Sequence, residues 1–108
     1  MKQIRGVEFD TEVLAAGQPV LVDFYSQGCG PCRAMAPMLE EWESEANGAL
    51  KIVKVDIYEE QELASSFRVN AVPAFFAFAN GKCVGQTLGL KSKATIKKWF
   101  DDAVKSAA

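Results

Sequence analysis

Residues 20–32, VLVDFYSQGCGPC, contain the most informative pattern in the chain. Its first half, Val20–Tyr25, is a short apolar run with β-branched residues, which is typical of a strand buried on both faces. A loop follows, and Cys29-Gly30-Pro31-Cys32 then opens a segment whose apolar residues recur at helical spacing. Pro31 suits the first turn of that helix, because proline lacks an N–H that the turn would leave unpaired. The stretch therefore predicts a strand, a loop and a helix, with two cysteines at the junction.

The other predicted elements lie on both sides of this unit. In chain order they are a short helix over 9–16, a strand over 20–25, a helix over 31–46 that Pro37 should kink, a strand over 50–55, a helix over about 60–67, strands over 74–79 and 82–88 joined by Asn80-Gly81, and a last helix from Ser92 or Lys93. This order predicts an α/β fold: a three-layer α/β/α sandwich around a mixed four- to five-stranded sheet, with parallel central strands. Residues 1–108 are expected to form a single domain.

Composition limits the classes of function. Of 108 residues, 49% are hydrophobic, which is enough for a real core, and the net charge is −2. Without a basic stripe we expect neither a nucleic-acid partner nor a membrane-surface partner. No apolar run follows the early positive charges as in a secretory signal, and none approaches the roughly 20 residues of a membrane span. A cytoplasmic, reducing setting is expected.

The cysteines carry the chemistry. The chain has three cysteines, an odd number for a disulfide framework, and no histidine to act as a general base or zinc ligand. Cys29 and Cys32 are about one helical turn apart, so their sulfurs can close a small ring. The free N–H groups at a helix start favour a thiolate. Cys29 is therefore the predicted nucleophile and Cys32 the resolving thiol.

Two other interpretations of the cysteine pair, and one of Cys83, were also considered. The pair could be inert core residues, or it could belong to a thiolate metal site. Cys83 is the only further thiol, so we expect no metal site. Cys83 itself is expected to be a small apolar residue, with a regulatory or intermolecular thiol as the alternative.

These residues resemble the thioredoxin family over nearly the whole chain. The resemblance is carried by Leu21-Val22-Asp23-Phe24, Cys29-Gly30-Pro31-Cys32, Ala36-Pro37, Lys54 with Asp56, Val72-Pro73, Asn80-Gly81-Lys82 and Gly89. It implies the thioredoxin fold and a thiol–disulfide oxidoreductase that reduces protein disulfides, and we expect the protein to be a monomer. It also implies a thioredoxin reductase as the electron donor, and no cofactor beyond a redox-active Cys29–Cys32 disulfide.

The resemblance also implies a proton acceptor. Asp23 would be the buried carboxylate that deprotonates Cys32, and Lys54 would be its electrostatic partner. The residues themselves agree, because an unpaired acid inside a buried strand should have a raised pKa. A structurally paired aspartate and a simple surface lysine are the alternatives.

A docking surface for substrates is implied in the same way. In the family the bond before the equivalent of Pro73 is cis and lies beside the disulfide. Its backbone pairs with an extended substrate segment. The residues expected to form this surface are Gly28, Gly30, Pro31, Ala71, Val72, Pro73 and Gly89.

Three positions depart from the family pattern. Gly28 and Tyr25 stand where the family usually has tryptophan, and Ala74 stands where threonine is common. Gly28 removes a large apolar surface next to the first cysteine and puts partner choice in question. The alternative function is therefore a partner-binding module, or a dedicated redox partner with little general reductase activity. An oxidase or isomerase role is a further rival, since the sequence does not set the redox potential.

Overall fold

A five-stranded mixed sheet forms the centre of the computed structural model, which describes residues 1–107. The strands lie side by side in the order β1-β3-β2-β4-β5, in which β1, β3 and β2 are parallel and β4 is antiparallel to both of its neighbours. Their bounds are β1 Lys2–Gln3, β2 Val20–Tyr25, β3 Lys51–Asp56, β4 Ala74–Ala79 and β5 Lys82–Leu88. The strand that carries Asp23 is thus the middle one.

Three α-helices cover this sheet, and their ends follow local chemistry. They are α1 Gly30–Ala46, α2 Gln61–Ser66 and α3 Lys93–Ser106, and two short helical turns span Gly6–Glu8 and Asp10–Leu14. Cys29 caps the start of α1, which continues through Pro37 and ends at Asn47 in the left-handed conformation. The Ser92 hydroxyl caps α3 by accepting the N–H of Thr95 at 3.1 Å.

The side chains of β2 alternate between two apolar cores. Val20, Val22 and Phe24 pack into a core rich in phenylalanine on one face of the sheet. Leu21 packs on the other face, against residues of α1 and α3. Because side chains in a strand alternate, Asp23 faces the same way as Leu21, towards α1. This places the carboxyl group on the side of the sheet where the two cysteines lie.

The structure confirms the predicted fold class and most of the predicted elements. The bounds of β2, β4 and β5 are as predicted, while α1 and β3 shift by one residue and α2 is shorter. The expected helix over 9–16 is wrong in extent, because only Asp10–Leu14 forms a helical turn there. Strand β1 was not predicted, since two residues show no periodicity; its position is fixed by pairing with β3. Within residues 1–107, no helix is long and apolar enough to cross a membrane.

Candidate active site

Cys29 and Cys32 form a disulfide at the start of α1, with their Cα atoms 5.2 Å apart. Cys29 is the capping residue of the helix, and its Sγ accepts the backbone N–H of Cys32 at 3.1 Å. The N–H of Cys29 in turn donates to the carbonyl of Ser26 at 3.2 Å, which fixes the preceding loop. When the disulfide is reduced, this helix start stabilises negative charge on the sulfur of Cys29.

Small exposed residues border the disulfide. The sulfur-bearing residues are themselves largely covered, with Cys29 9% and Cys32 6% exposed, whereas Gly28, Gly30 and Pro31 are exposed. A Cβ atom added at Gly28 would meet no other atom within 4 Å. The loop before Cys29 therefore leaves open space for an approaching partner.

Asp23 is a buried acid without a matched partner. Only 4% of the residue is exposed, and within residues 1–107 its Oδ1 has no hydrogen-bond partner. Burial raises the pKa of Asp23 from 3.8 to about 7, and the positive charge of Lys54 opposes this rise to a smaller extent. A carboxyl group in this environment exchanges its proton near neutral pH.

Lys54 lies on the neighbouring strand, directly opposite Asp23 in the parallel register of β2 and β3. It forms no salt bridge with any acidic group of residues 1–107. Its Nζ atom lies 5.2 Å from the centroid of the Tyr25 ring. Lys54 is thus near Asp23 but forms no salt bridge with it.

One cavity brings these groups together. It has a volume of about 330 Å³, and Asp23, Cys32, Lys54, Tyr25 and Arg33 are among the residues that line it. At roughly 30 Å³ per water molecule, the cavity has room for several waters between the carboxyl group and the resolving cysteine. The sequence-predicted residues Asp23, Cys32 and Lys54 therefore share one space.

Two further loops meet at the same end of the sheet. Phe24 pairs with Ala74, so Pro73, just before β4, lies beside the end of β2 that leads to the cysteines. The N–H of Gly89 donates to the carbonyl of Pro73 at 2.9 Å, and Gly89 has a φ of +88° that favours glycine. The Val72–Pro73 bond is cis, and Ala71 is exposed.

Other residues near the site were not assigned a role from the sequence. The Arg33 guanidinium donates to the carbonyl of Gln27 at 2.6 Å and so braces the loop that holds Gly28. The sequence feature that could have indicated this role for Arg33 is its position four residues after Cys29, in the first turns of the predicted helix. Leu88 and Leu90, which flank Gly89, are large exposed apolar residues, at 59% and 64%. They place exposed apolar side chains on both sides of Gly89, which is hydrogen-bonded to Pro73, and Pro73 itself is buried.

Two further groups that the sequence singled out, Asp56 and Cys83, are not among the residues that line the cavity. Asp56 is buried, and its carboxylate accepts the N–H groups of Tyr58 and Glu59 in the turn after β3. Cys83 is a free, exposed thiol on β5. Within residues 1–107, no cluster of three or more candidate metal ligands occurs.

Comparison with protein families gives one match over almost the whole chain. The family model described as Thioredoxin matches residues 1–102. Its span includes both cysteines, the buried acid and the loops at Pro73 and Gly89.

Curated relatives agree with this family. A thioredoxin of Mycobacterium bovis is 36% identical over 102 residues, covering 94% of this chain and 88% of that protein. Thioredoxin C-2 of Corynebacterium nephridii is 38% identical over 96 residues, 89% of each chain. A "Bifunctional thioredoxin reductase/thioredoxin" of Mycobacterium leprae is 36% identical over 102 residues, but this chain spans only 22% of it. These similarities confirm the predicted resemblance and do not favour the partner-binding module.

Proposed function

The chain belongs to the thioredoxin family and is a thiol–disulfide oxidoreductase, and we propose which of its residues performs each step of the reaction. Cys29 is the attacking nucleophile, Cys32 resolves the mixed disulfide, and Asp23 takes the proton of Cys32. The observation that carries this proposal is the position of the disulfide, at a helix start and on the edge of a cavity that also holds a buried, unpartnered carboxyl group.

The first step uses the reduced protein. The Cys29 thiolate attacks one sulfur of a substrate disulfide, so a new S–S bond joins Cys29 to the substrate and the old S–S bond breaks. The released substrate thiolate takes a proton from solvent. The N–H of Cys32, which points at the sulfur of Cys29, supports this assignment, because it stabilises the attacking thiolate.

The second step forms the internal disulfide. Cys32 loses its proton to the Asp23 carboxylate and attacks the sulfur of Cys29. The Cys29–Cys32 bond forms, and the second substrate sulfur leaves as a thiolate that is then protonated. Two electrons have passed from the dithiol to the substrate. The pKa of Asp23, raised to about 7 by burial, suits a base that must both accept and release this proton near neutral pH.

We infer that substrates dock across the loops around the disulfide. The residues proposed for this surface are uncharged and have small side chains, which suits contact with an extended peptide backbone. Support comes from the exposed backbone near the sulfurs, the Gly89–Pro73 hydrogen bond and the exposed Leu88 and Leu90. The residues assigned to it are Gly28, Gly30, Pro31, Ala71, Val72, Pro73 and Gly89.

The electron donor we propose is a thioredoxin reductase, and the acceptors are disulfide-containing proteins. The Mycobacterium leprae relative supports the donor, since its name joins a thioredoxin reductase to a thioredoxin. Nothing beyond the redox-active disulfide is proposed as a cofactor. We expect no nucleic-acid or membrane partner, given the net charge of −2.

A cytoplasmic monomer is the proposed working form. A dithiol that must stay reduced, together with the free exposed Cys83, suits a reducing compartment. The long sheet edge, β5, carries a register shift opposite Ala77 and Phe78 and begins with Lys82. Bulges and edge lysines discourage pairing between sheet edges of two copies.

Reduction of insulin with dithiothreitol as the electron source tests the proposed roles. The parent protein and Cys83→Ser should both accelerate insulin reduction, because Cys83 lies outside the site, whereas Cys29→Ser should not. Cys32→Ser should accumulate a mixed disulfide with substrate, visible by mass spectrometry. Acceleration by Cys29→Ser equal to that of the parent would overturn the assignment of the nucleophile.

A further inference from the structure

The contact between Tyr25 and Lys54 has no part in the reaction described above, although it lies in the same cavity. The Lys54 Nζ is 5.2 Å from the ring centroid, inside the roughly 6 Å range of cation–π attraction. Within residues 1–107, Nζ has no salt bridge and donates no hydrogen bond. The Tyr25 ring is therefore the contact that orients this ammonium group.

The strand register explains why the three groups meet. Residues 23 and 25 project from the same face of β2, because side chains alternate along a strand. The parallel pairing of β2 and β3 puts Lys54 opposite Asp23, two residues before the residue that lies opposite Tyr25. The register thus places the Lys54 side chain on the same face of the sheet as the carboxyl group of Asp23 and the ring of Tyr25.

Lysine has a flexible stem whose rotamer freedom is lost when its ammonium group is held in one place. Without the ring, this flexible stem would be free to carry the charge through the open cavity towards solvent. We propose that Tyr25 is a positioning residue: its ring keeps the Lys54 ammonium beside Asp23 and so sets the pH range in which Asp23 accepts the proton of Cys32. The proton-transfer part of this inference rests on the proposed function of Asp23.

The other charged groups around the cavity are fixed elsewhere. The amino group of Met1 pairs with Glu43 at 2.7 Å, and the Arg33 guanidinium is bound to the carbonyl of Gln27. The titratable and charged groups that line or border the cavity are Asp23 and Tyr25 on β2, Lys54 on β3, Cys32 and Arg33 on α1, and the Met1 amino group, with Asp56 and Glu59 beyond Tyr25.

The Tyr25 phenol is neutral in the pH range of the reaction, since its ordinary pKa already lies near 10. Burial raises the pKa of Tyr25 above its ordinary value, and the negative charges of Asp56, Glu59 and Asp23 add to the rise. The phenol therefore stays protonated near neutral pH, and its ring face remains attractive to a cation. Lys54 in turn lowers the pKa of Asp23 against the larger effect of burial.

The test compares Tyr25→Leu with Tyr25→Phe, which keeps the ring and removes only the hydroxyl. Asp23 is titrated in the oxidised protein by the ¹³C chemical shift of its carboxyl carbon. We expect Tyr25→Leu to raise the pKa of Asp23 by roughly half a unit, and Tyr25→Phe to leave it unchanged. Lys54→Gln alone should reproduce the rise, and Tyr25→Leu added to Lys54→Gln should raise it no further.

The reaction should follow the titration. A rise of half a unit lowers the ionised fraction of Asp23 at about pH 7 from about one half to about one quarter. Resolution of the mixed disulfide by Cys32 should therefore slow about twofold in Tyr25→Leu at that pH and recover at about pH 8.5.

Several results would overturn the inference. An equal rise in the presence and absence of Lys54 would mean that Tyr25 acts by burying Asp23 and not by holding the lysine. A fall in the pKa of Asp23 would mean that the released ammonium binds the carboxylate. A raised pKa with an unchanged pH profile of resolution would overturn the proposed base role of Asp23, while the hold of Tyr25 on Lys54 would stand supported.

Discussion

Asp23 lies on β2 with 4% of its surface exposed, and its Oδ1 has no hydrogen-bond partner in residues 1–107. Burial raises its pKa from 3.8 to about 7, so the folded protein retains a proton that the unfolded chain releases at lower pH. The contribution of this carboxyl group to stability is therefore greatest below about pH 4 and is lost as the pH rises to about 7. Through this one group, the free energy of unfolding is lowered by about 4 kcal/mol over that range.

Asp23→Asn should remove this pH dependence, because the amide cannot ionise. We expect the variant to exceed the parent in free energy of unfolding by up to about 4 kcal/mol more at about pH 8 than at about pH 4. Urea unfolding of both oxidised proteins at the two pH values measures the difference. The same stability difference at both pH values would contradict a raised pKa.

Gly28 and Gly89 differ in what they require of the backbone. A Cβ at Gly28 would meet open space, whereas Gly89 has a φ of +88°, where an L-residue is strained. We expect Gly28→Ala to change the free energy of unfolding by less than about 0.5 kcal/mol and Gly89→Ala to lower it by about 1–2 kcal/mol. Urea unfolding compares the two, and equal losses would show that φ is not what distinguishes them. A tolerated Gly28→Ala would mean that the fold does not require glycine at that position.

At the scale of elements, α1 separates the chemistry from the optical probes. Cys32 lies in the first turn of α1, and Trp42 lies ten residues further along, about 15 Å at the rise of an α-helix. Trp42 packs edge-on against Phe100 of α3, with ring centroids 5.5 Å apart. Trp99 is on α3, against Gly85 of β5. Neither tryptophan lies in the cavity between Asp23 and Cys32.

Reduction of the disulfide should therefore change tryptophan emission only slightly, by less than about a factor of two. Quenching by a disulfide needs close approach, and the length of α1 prevents it for Trp42. The measurement is the emission spectrum before and after dithiothreitol, with Cys32→Ser as a control that cannot form the internal disulfide. A several-fold increase on reduction of the parent alone would contradict this placement.

At the scale of the whole molecule, one sheet joins two cores. Phe24 packs into the core on one face of the sheet and Leu21 of the same strand packs into the core on the other face, so the two cores share β2. The radius of gyration is 12.6 Å, close to the roughly 13 Å of a compact domain of this length. We propose on this basis that residues 1–108 form a single domain.

A single domain should unfold in one step. Both tryptophans belong to the core beneath α1 and α3, whereas far-UV circular dichroism reports on all elements. The urea transitions followed by the two signals should coincide within error. Separate midpoints would mean that the two cores unfold independently, and would contradict the proposed single domain.

Local patterns in the sequence were enough to predict most of the elements and the reacting sulfur atoms. The run Val20–Tyr25, the cysteines one turn apart and the Asn80-Gly81 turn are local patterns, whose periodicity and turn chemistry need no distant partner. The resemblance to a family then supplied Asp23, Lys54 and the Val72–Pro73 loop as further site residues. Strand β1 was not predicted from the sequence, because a two-residue strand exists only through its pairing with β3.

The surroundings of those atoms, in contrast, depend on tertiary packing. The register of β2 against β3 sets Lys54 opposite Asp23, and the packing of α1 closes a cavity over both. The same packing leaves Oδ1 of Asp23 unpartnered in residues 1–107 and puts the Lys54 ammonium over the Tyr25 ring. The pKa of Asp23 depends on its burial and on its distance from Lys54. Both are set by groups that are far apart in the chain, so the sequence can identify the acid but not its pKa.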